Sequence, residues 1–148
     1  MITSCNPREC PLIRLDQNNE PCDLSGLESF PAWQALSEDN RKVLTPLLGQ
    51  YLMPNTIPAP DHGNTNVGYF LDPAAMKSYV SARPEMVELG LLPIAEDDGG
   101  NCFCISTNHA TLNAIYYWDD DSFLDLGIAK LRVSKDLASF FKIIAYEQ

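Results

Sequence analysis

The cysteines are the side chains whose spacing first suggests chemistry. Cys102 and Cys104 lie two residues apart on a predicted strand, so both side chains point to the same face. A zinc site would need two further ligands at matching positions, and only Cys5, Cys10 and Cys22 in the N-terminal region could supply them. Small buried cysteines that pack in a core are the simpler interpretation. We therefore expect no metal site.

A cysteine nucleophile paired with a histidine base is the enzymatic alternative. Cys104 could pair with His109, which follows it in a predicted loop. No motif surrounds this pair, and a cysteine that faces a core is usually inert. The other histidine, His62, lies in a predicted loop and has no candidate partner in the sequence. The sequence thus predicts a protein without catalytic residues or a cofactor.

Carboxylates form two runs, one in the first turn of a predicted strand meander and one directly after its last strand. The first run, Glu96-Asp97-Asp98, precedes Gly99-Gly100, and the second, Asp119-Asp120-Asp121, follows directly on Trp118. The first run lacks the alternating oxygen ligands and final Glu of a calcium loop. A glycine-rich turn between two strands explains it better, since glycine accepts a positive φ.

The two carboxylate runs predict an acidic rim at the edge of the sheet. No Lys or Arg occurs between Arg83 and Lys130. Tyr116, Tyr117 and Trp118 alternate across their strand, so we expect at least one aromatic side chain at this rim, where it would anchor a partner. The predicted partner-binding residues are Glu96, Asp97, Asp98, Trp118, Asp119, Asp120 and Asp121.

The charge of the chain narrows the classes of partner. Twenty acidic and 10 basic residues give a net charge of -10 over 148 residues. A nucleic-acid backbone or an anionic membrane would be repelled, whereas a basic protein surface would be attracted. We find no signal-peptide pattern and no apolar run that could span a bilayer, and the five cysteines are an odd number. These features favour a cytoplasmic protein.

The order of elements predicts a single α+β domain, with a central antiparallel sheet flanked by helices and a helix at the C-terminus. Residues 1–22 show little periodicity and are interpreted as a loosely docked arm, and residues 23–148 as the domain. The stretch from Leu91 to Trp118 reads as three strands joined by two turns.

Capping residues and apolar spacing predict where several helices begin and end. Ser37 is expected to cap a helix through Leu44, and Asp72 followed by Pro73 is expected to begin a helix that ends near Arg83. Residues 54–66 are dense in Pro, Asn and Gly and read as a loop. Residues 134–148 read as one amphipathic helix capped by Ser134.

The C-terminal half resembles the SUKH superfamily, whose members show an apolar Pro-containing strand, an acidic Gly-Gly turn, an aromatic strand and a final helix. The residues that carry the resemblance are Leu92, Pro93, Ile94, Ala95, Asp98, Gly99, Gly100, Asn101, Cys104, Tyr116, Tyr117, Trp118, Asp119, Val133, Leu137, Phe140 and Phe141. Their order and spacing are more specific than any single motif.

The resemblance implies a non-enzymatic role for this chain. Many bacterial members of the superfamily are immunity proteins that bind and neutralise a cognate toxin domain, often a nuclease. We therefore expect a toxin partner with a basic surface. Other members act as interaction modules, so a regulatory scaffold without a toxin partner is the alternative. A small hydrolase or metal protein that uses Cys104, His109 or the Asp run is the third hypothesis.

Overall fold

The computed structural model describes residues 13–61 and 63–147. Residues 1–12, His62 and Gln148 lie outside the described part, and with them the candidate ligands Cys5 and Cys10 and most of the predicted arm. The described part contains helices and two antiparallel sheets, so the predicted α+β class is confirmed. The helices are α1 (Pro31–Ala35), α2 (Glu38–Leu44), α3 (Pro73–Ala82), α4 (Glu85–Glu88), α5 (Asp120–Leu126) and α6 (Leu137–Lys142).

The strands form a five-stranded sheet and a three-stranded sheet. In chain order they are β1 (Asn55–Ala59), β2 (Gly63–Thr65), β3 (Tyr69–Phe70), β4 (Leu91–Glu96), β5 (Cys102–Ser106), β6 (Ile115–Trp118), β7 (Arg132–Ser134) and β8 (Ala145–Tyr146). The larger sheet has the order β3-β4-β5-β6-β7 and the smaller one β2-β1-β8. The predicted meander is confirmed as strands β4, β5 and β6.

Both faces of the central strands are buried. On one face of β5 and β6, Phe103 packs against Tyr117 and against Phe140 of α6 in the larger core cluster. On the other face, Cys104 and Trp118 join Met86 of α4 in a second cluster. An antiparallel sheet often leaves one face in water, but here helices cover both.

Local capping signals place two of the helices as expected. The Ser37 side chain accepts a hydrogen bond from the Asn40 backbone N–H, and α2 follows it directly. The Asp72 side chain accepts from the Ala75 N–H, and Pro73 occupies the first turn of α3. Each cap satisfies one backbone donor that the first helical turn leaves unpaired.

The prediction of a loop over residues 54–66 is wrong, because this segment forms the β1–β2 hairpin. Residues of β1 alternate between buried and exposed, with Ile57 and Ala59 in the core. Pro58 occupies an exposed position of this strand. Proline is poorly compatible with a central strand, and its presence hid the period-two pattern.

The prediction of one helix over residues 134–148 is wrong at both ends. Asp136, rather than Ser134, caps α6 by accepting from the Ser139 N–H at 2.8 Å. The helix ends at Lys142, and β8 then pairs antiparallel with β1. Tertiary pairing with a strand far away in sequence thus replaces the last predicted helical turn.

Residues 13–22 contact the rest of the fold through their backbone and side chains. Leu15 forms an antiparallel bridge with Leu52, and the Asp16 N–H donates to the Tyr51 carbonyl. The side-chain amide of Asn19 donates to the Tyr51 carbonyl and accepts from the Tyr51 N–H, both at 2.7 Å. The division of the chain into an arm and a domain stays a prediction.

Gly49 provides a test of how tightly this N-terminal segment packs. Its φ is +79°, and a Cβ at this position would overlap with Cys22 Sγ. Gly63 has a similar φ of +76° with open space around it. We expect Gly49→Ala to lower the free energy of unfolding by about 1–3 kcal/mol more than Gly63→Ala does, because only the first substitution adds an overlap to the strained φ.

Urea denaturation of both variants measures this difference. Equal losses of stability would show that Cys22 moves aside without penalty.

Candidate partner-binding surface

The two predicted carboxylate runs lie at the same end of the central sheet. Glu96 pairs with Cys102, and Cys102 pairs with Trp118, so these three residues form one row across the sheet. Strands β4 and β6 run in the same direction because both are antiparallel to β5. The segments that follow them therefore leave the sheet side by side. We name this region, which comprises Glu96–Asp98 and Asp119–Asp121, the acidic end.

Asp97 belongs to the interior of the protein rather than to the surface. Only 4% of the residue is exposed. Its carboxylate accepts from the Gly99 and Asn101 N–H groups, from the Thr65 hydroxyl and from the Tyr117 hydroxyl. It thereby joins the turn after β4 to the β1–β2 hairpin and to β6. Asp97 thus has a structural role in the free protein.

Asp119 and Asp120 also hold neighbouring elements in place. The Asp119 side chain caps α5 by accepting from the Ser122 N–H at 3.0 Å. The Asp120 carboxylate pairs with the Arg83 guanidinium in a two-pronged contact, at 2.9 Å to Nε and 3.1 Å to Nη2. It also accepts from Trp118 Nε1 at 2.8 Å. Partial burial acts to raise the pKa of Asp120, but the Arg83 and Trp118 hydrogen bonds outweigh it, so this pKa lies below its usual value.

Asp98 and Asp121 are the exposed carboxylates of the two runs that have no hydrogen-bond or ion-pair partner for their side chains in the described part of the chain. Glu96 is half-buried, and burial raises its pKa with added repulsion from Asp97, Asp72 and Asp98. The Glu96 carboxylate therefore takes up a proton at a higher pH than an ordinary glutamate does.

The hairpin brings one further carboxylate that the sequence did not point to. Asp61, in the β1–β2 turn, accepts from the Ser122 hydroxyl of α5 at 3.1 Å. The two residues are 61 positions apart. Only the course of the hairpin across the sheet end places Asp61 here, and no local pattern could have shown it.

The expectation that an aromatic residue of β6 lies at the rim is wrong. Tyr116, Tyr117 and Trp118 are 4%, 2% and 2% exposed. The Trp118 ring stacks on Phe123 of α5 with the ring centroids 4.2 Å apart. Helices cover both faces of the strand. Side chains that alternate along β6 therefore point into one of two cores, and none of them points into the solvent. Whether any of the predicted residues contacts a partner stays a prediction.

The candidate catalytic and metal-ligating residues do not assemble a site in the described part of the chain. Cys102 and Cys104 share one face, as expected, with their Sγ atoms 3.8 Å apart in the core. Burial raises the pKa of the Cys102 thiol well above its usual value, which disfavours the reactive thiolate. His109 is exposed in a 3-10 turn, and no hydrogen bond joins it to Cys104. No group of three potential metal ligands occurs among the described residues.

Comparison with known proteins gives the family of this chain. The model of the SMI1/KNR4 family (SUKH-1) matches residues 5–143, which is nearly the whole chain. The protein therefore belongs to the SMI1/KNR4 family (SUKH-1), and the resemblance seen in its C-terminal half extends over the N-terminal half as well. No curated protein and no solved structure matches. Within the described ranges, no helix has the length and apolar character needed to cross a membrane.

Asp97 offers a test of how much the acidic end depends on its buried carboxylate. We expect Asp97→Ala to lower the free energy of unfolding by about 3 kcal/mol, because four donors lose their buried carboxyl acceptor. The matched control, Asp98→Ala, removes an exposed carboxylate and should stay within about 0.5 kcal/mol of the parent protein.

Urea denaturation gives both values, and amide hydrogen exchange at Gly99 and Asn101 reports the turn directly. Similar stabilities for the two variants would show that the network around Asp97 is redundant.

Proposed function

We propose that this protein is a non-enzymatic immunity protein that binds and neutralises a cognate bacterial toxin domain. The observation that carries the proposal is membership of the SMI1/KNR4 family over residues 5–143. In this proposal the protein acts in the cytoplasm, where it occludes the toxin before the toxin reaches its target.

The charge of the protein supports a toxin with a basic surface. The net charge is -10. A nuclease that binds a phosphate backbone carries Lys and Arg around its active site. An acidic protein is drawn to such a surface over several ångströms and associates quickly, and an acidic patch can take the place of the nucleic acid. A nuclease is therefore the toxin class that this chain fits best.

The acidic end is the surface that we propose for the first approach of the toxin. Asp98, Asp120 and Asp121 are exposed there. The Arg83 and Trp118 contacts hold the Asp120 carboxylate in one position. Because the ion pair with Arg83 compensates the Asp120 charge, the attraction that the acidic end exerts on a basic surface comes mainly from Asp98 and Asp121.

Co-expression with the toxin domain encoded by the neighbouring gene tests the function. We expect cells that produce the toxin domain to survive only when this protein is also present, and the two proteins to co-purify. Survival without co-purification would indicate a regulatory role instead. A lack of both protection and binding would contradict the proposal.

The contribution of the acidic end appears in the kinetics of association. We expect Asp121→Lys to lower the association rate about threefold to tenfold at about 0.05 M salt, because it replaces attraction by repulsion near the approaching basic surface. The difference should shrink at about 0.5 M salt, where charges are screened. Stopped-flow fluorescence with the toxin domain measures both rates.

Glu20→Lys is the matched control, since Glu20 is an exposed carboxylate on the N-terminal segment. If Glu20→Lys slows association as much as Asp121→Lys does, net charge rather than the acidic end steers the toxin.

A further inference from the structure

An apolar groove opens at the other end of the central sheet. It lies between α1 and α4, above the start of β4, and has a volume of about 270 Å³. Its lining is almost entirely apolar and includes Phe30, Ala35, Val80, Val87, Leu92 and Thr107. Val87 is 65% exposed, although it is a large apolar side chain. Water in such a groove is readily displaced by an apolar group.

The walls of the groove are built before any partner arrives. The Gln34 side chain of α1 donates to the Glu28 carbonyl, which ties α1 to the turn before it. Both the N–H and the hydroxyl of Thr107 donate to the Gly90 carbonyl, at 2.7 and 2.8 Å. The first contact holds α1 to the preceding turn, and the second holds the end of β5 to the residue before β4. A preformed groove binds with a smaller loss of entropy than one that must open.

The charges around the groove indicate what kind of group would enter it. Glu85 and Glu88 lie on α4, which forms one wall, and Glu28 lies in the turn that precedes α1. The nearby basic residues are engaged within the protein. Arg41 donates to the Gln34 and Leu36 carbonyls, which are neutral and leave its positive charge in place, whereas the charge of Arg83 is paired with Asp120. The three carboxylates outnumber the one guanidinium that is not paired with a carboxylate here, so the net charge of these groups is negative. The rim therefore complements positive charge, while the floor complements apolar surface.

We propose that this groove takes an apolar side chain of a protein partner that is flanked by Lys or Arg residues. Interfaces derive much of their affinity from a few anchors that fill preformed pockets. At the acidic end, the pocket that Asp98 lines has polar residues such as Asn66 and Glu147 among its walls, and it is less apolar than the groove. Identifying the partner as the toxin domain rests on the function proposed above.

The two surfaces are close enough to serve one partner. Strand β4 begins beside the groove at Leu91 and ends at the acidic end with Glu96. A strand of this length spans about 17–20 Å. That distance fits within one face of an interface that buries roughly 800 Å² on each side. The acidic end would then steer the partner, and the groove would hold it.

A variant with a filled groove tests the proposal through its affinity for the toxin domain. Ala35 is exposed at the end of α1 and lines the groove, so Ala35→Trp should occupy it without disturbing the core. Ala74→Trp is the control, because Ala74 is exposed on α3 outside the groove. We expect Ala35→Trp to weaken binding about tenfold and to raise the dissociation rate, and Ala74→Trp to change neither.

If the parent protein binds the toxin domain and Ala35→Trp binds it equally well, the groove is not part of the interface, while the proposed function stands. Glu88→Lys is a second variant, which should weaken binding about threefold through repulsion of the flanking basic residues. Circular dichroism confirms that each variant is folded.

A second experiment needs no toxin. The isotope-labelled protein is titrated with the blocked tetrapeptide KLLK and, separately, with ELLE, and amide shifts are followed by NMR. We expect KLLK to shift the amides of Val87, Gly90 and Thr107, and ELLE to shift them at least about threefold less at equal concentration.

These shifts without toxin binding would support the groove and contradict the proposed function. Shifts that are absent, or equal for the two peptides, would overturn the proposal. A second copy of this chain is the other group that could fill the groove, and analytical sedimentation of the free protein tests for it. A dimer that Ala35→Trp abolishes would assign the groove to that second copy and overturn the proposal.

Discussion

Burial of the central strands on both faces is the constraint from which the rest of this fold follows. Every residue of β5 and β6 is buried, and β4 is buried up to Glu96. A sheet with two apolar faces needs two layers of cover. Residues from α1, α2, α6 and the β1–β2 hairpin contribute to one core, and Met86 and Phe123 cover the opposite face. The short helices and loops are arranged as this covering requires.

The same constraint explains why polar chemistry is confined to the strand ends. A buried polar group is stable only when it is hydrogen-bonded. In the described residues no buried side-chain nitrogen or oxygen lacks a partner. The buried Asp97 meets this requirement by accepting from three separate segments. Asp119 and Asp120, which are more exposed, cap α5 and pair with Arg83. Some of the carboxylates that look like a binding patch in the sequence therefore hold the fold together. Their exposed neighbours are left to face the solvent.

Charge and apolar contact have different ranges, which gives each end of the sheet its own proposed role. Electrostatic attraction extends about 8 Å at physiological salt and governs approach. Apolar contact acts only when water has been displaced, and it governs how long a complex lasts. In the proposed interface, the acidic end supplies the long-range attraction, and the apolar groove at the opposite end of β4 supplies the close contact. Neither requires a reactive side chain, which agrees with the burial of Cys102 and Cys104 in the core.

The sequence by itself determined the features that depend on near neighbours. The caps at Ser37 and Asp72 act three residues along the chain, and the strands of the meander are set by alternation and by the Gly99-Gly100 turn. The family could also be recognised, because it is encoded in the order of such local motifs. Even so, the sequence pointed to Ser134 as the cap of the last helix, and the folded chain uses Asp136 instead.

The tertiary structure alone decided which residues are exposed. Thr65 reaches Asp97 across 32 positions, and Ser122 reaches Asp61 across 61. Such contacts are set by how the hairpin crosses the sheet, and no short window of sequence contains that information. For the same reason Trp118 proved to be core rather than rim, and the groove between α1 and α4 had no signature in the sequence. Hydrogen-bonding and backbone preferences are local, whereas burial is a property of the whole packed chain.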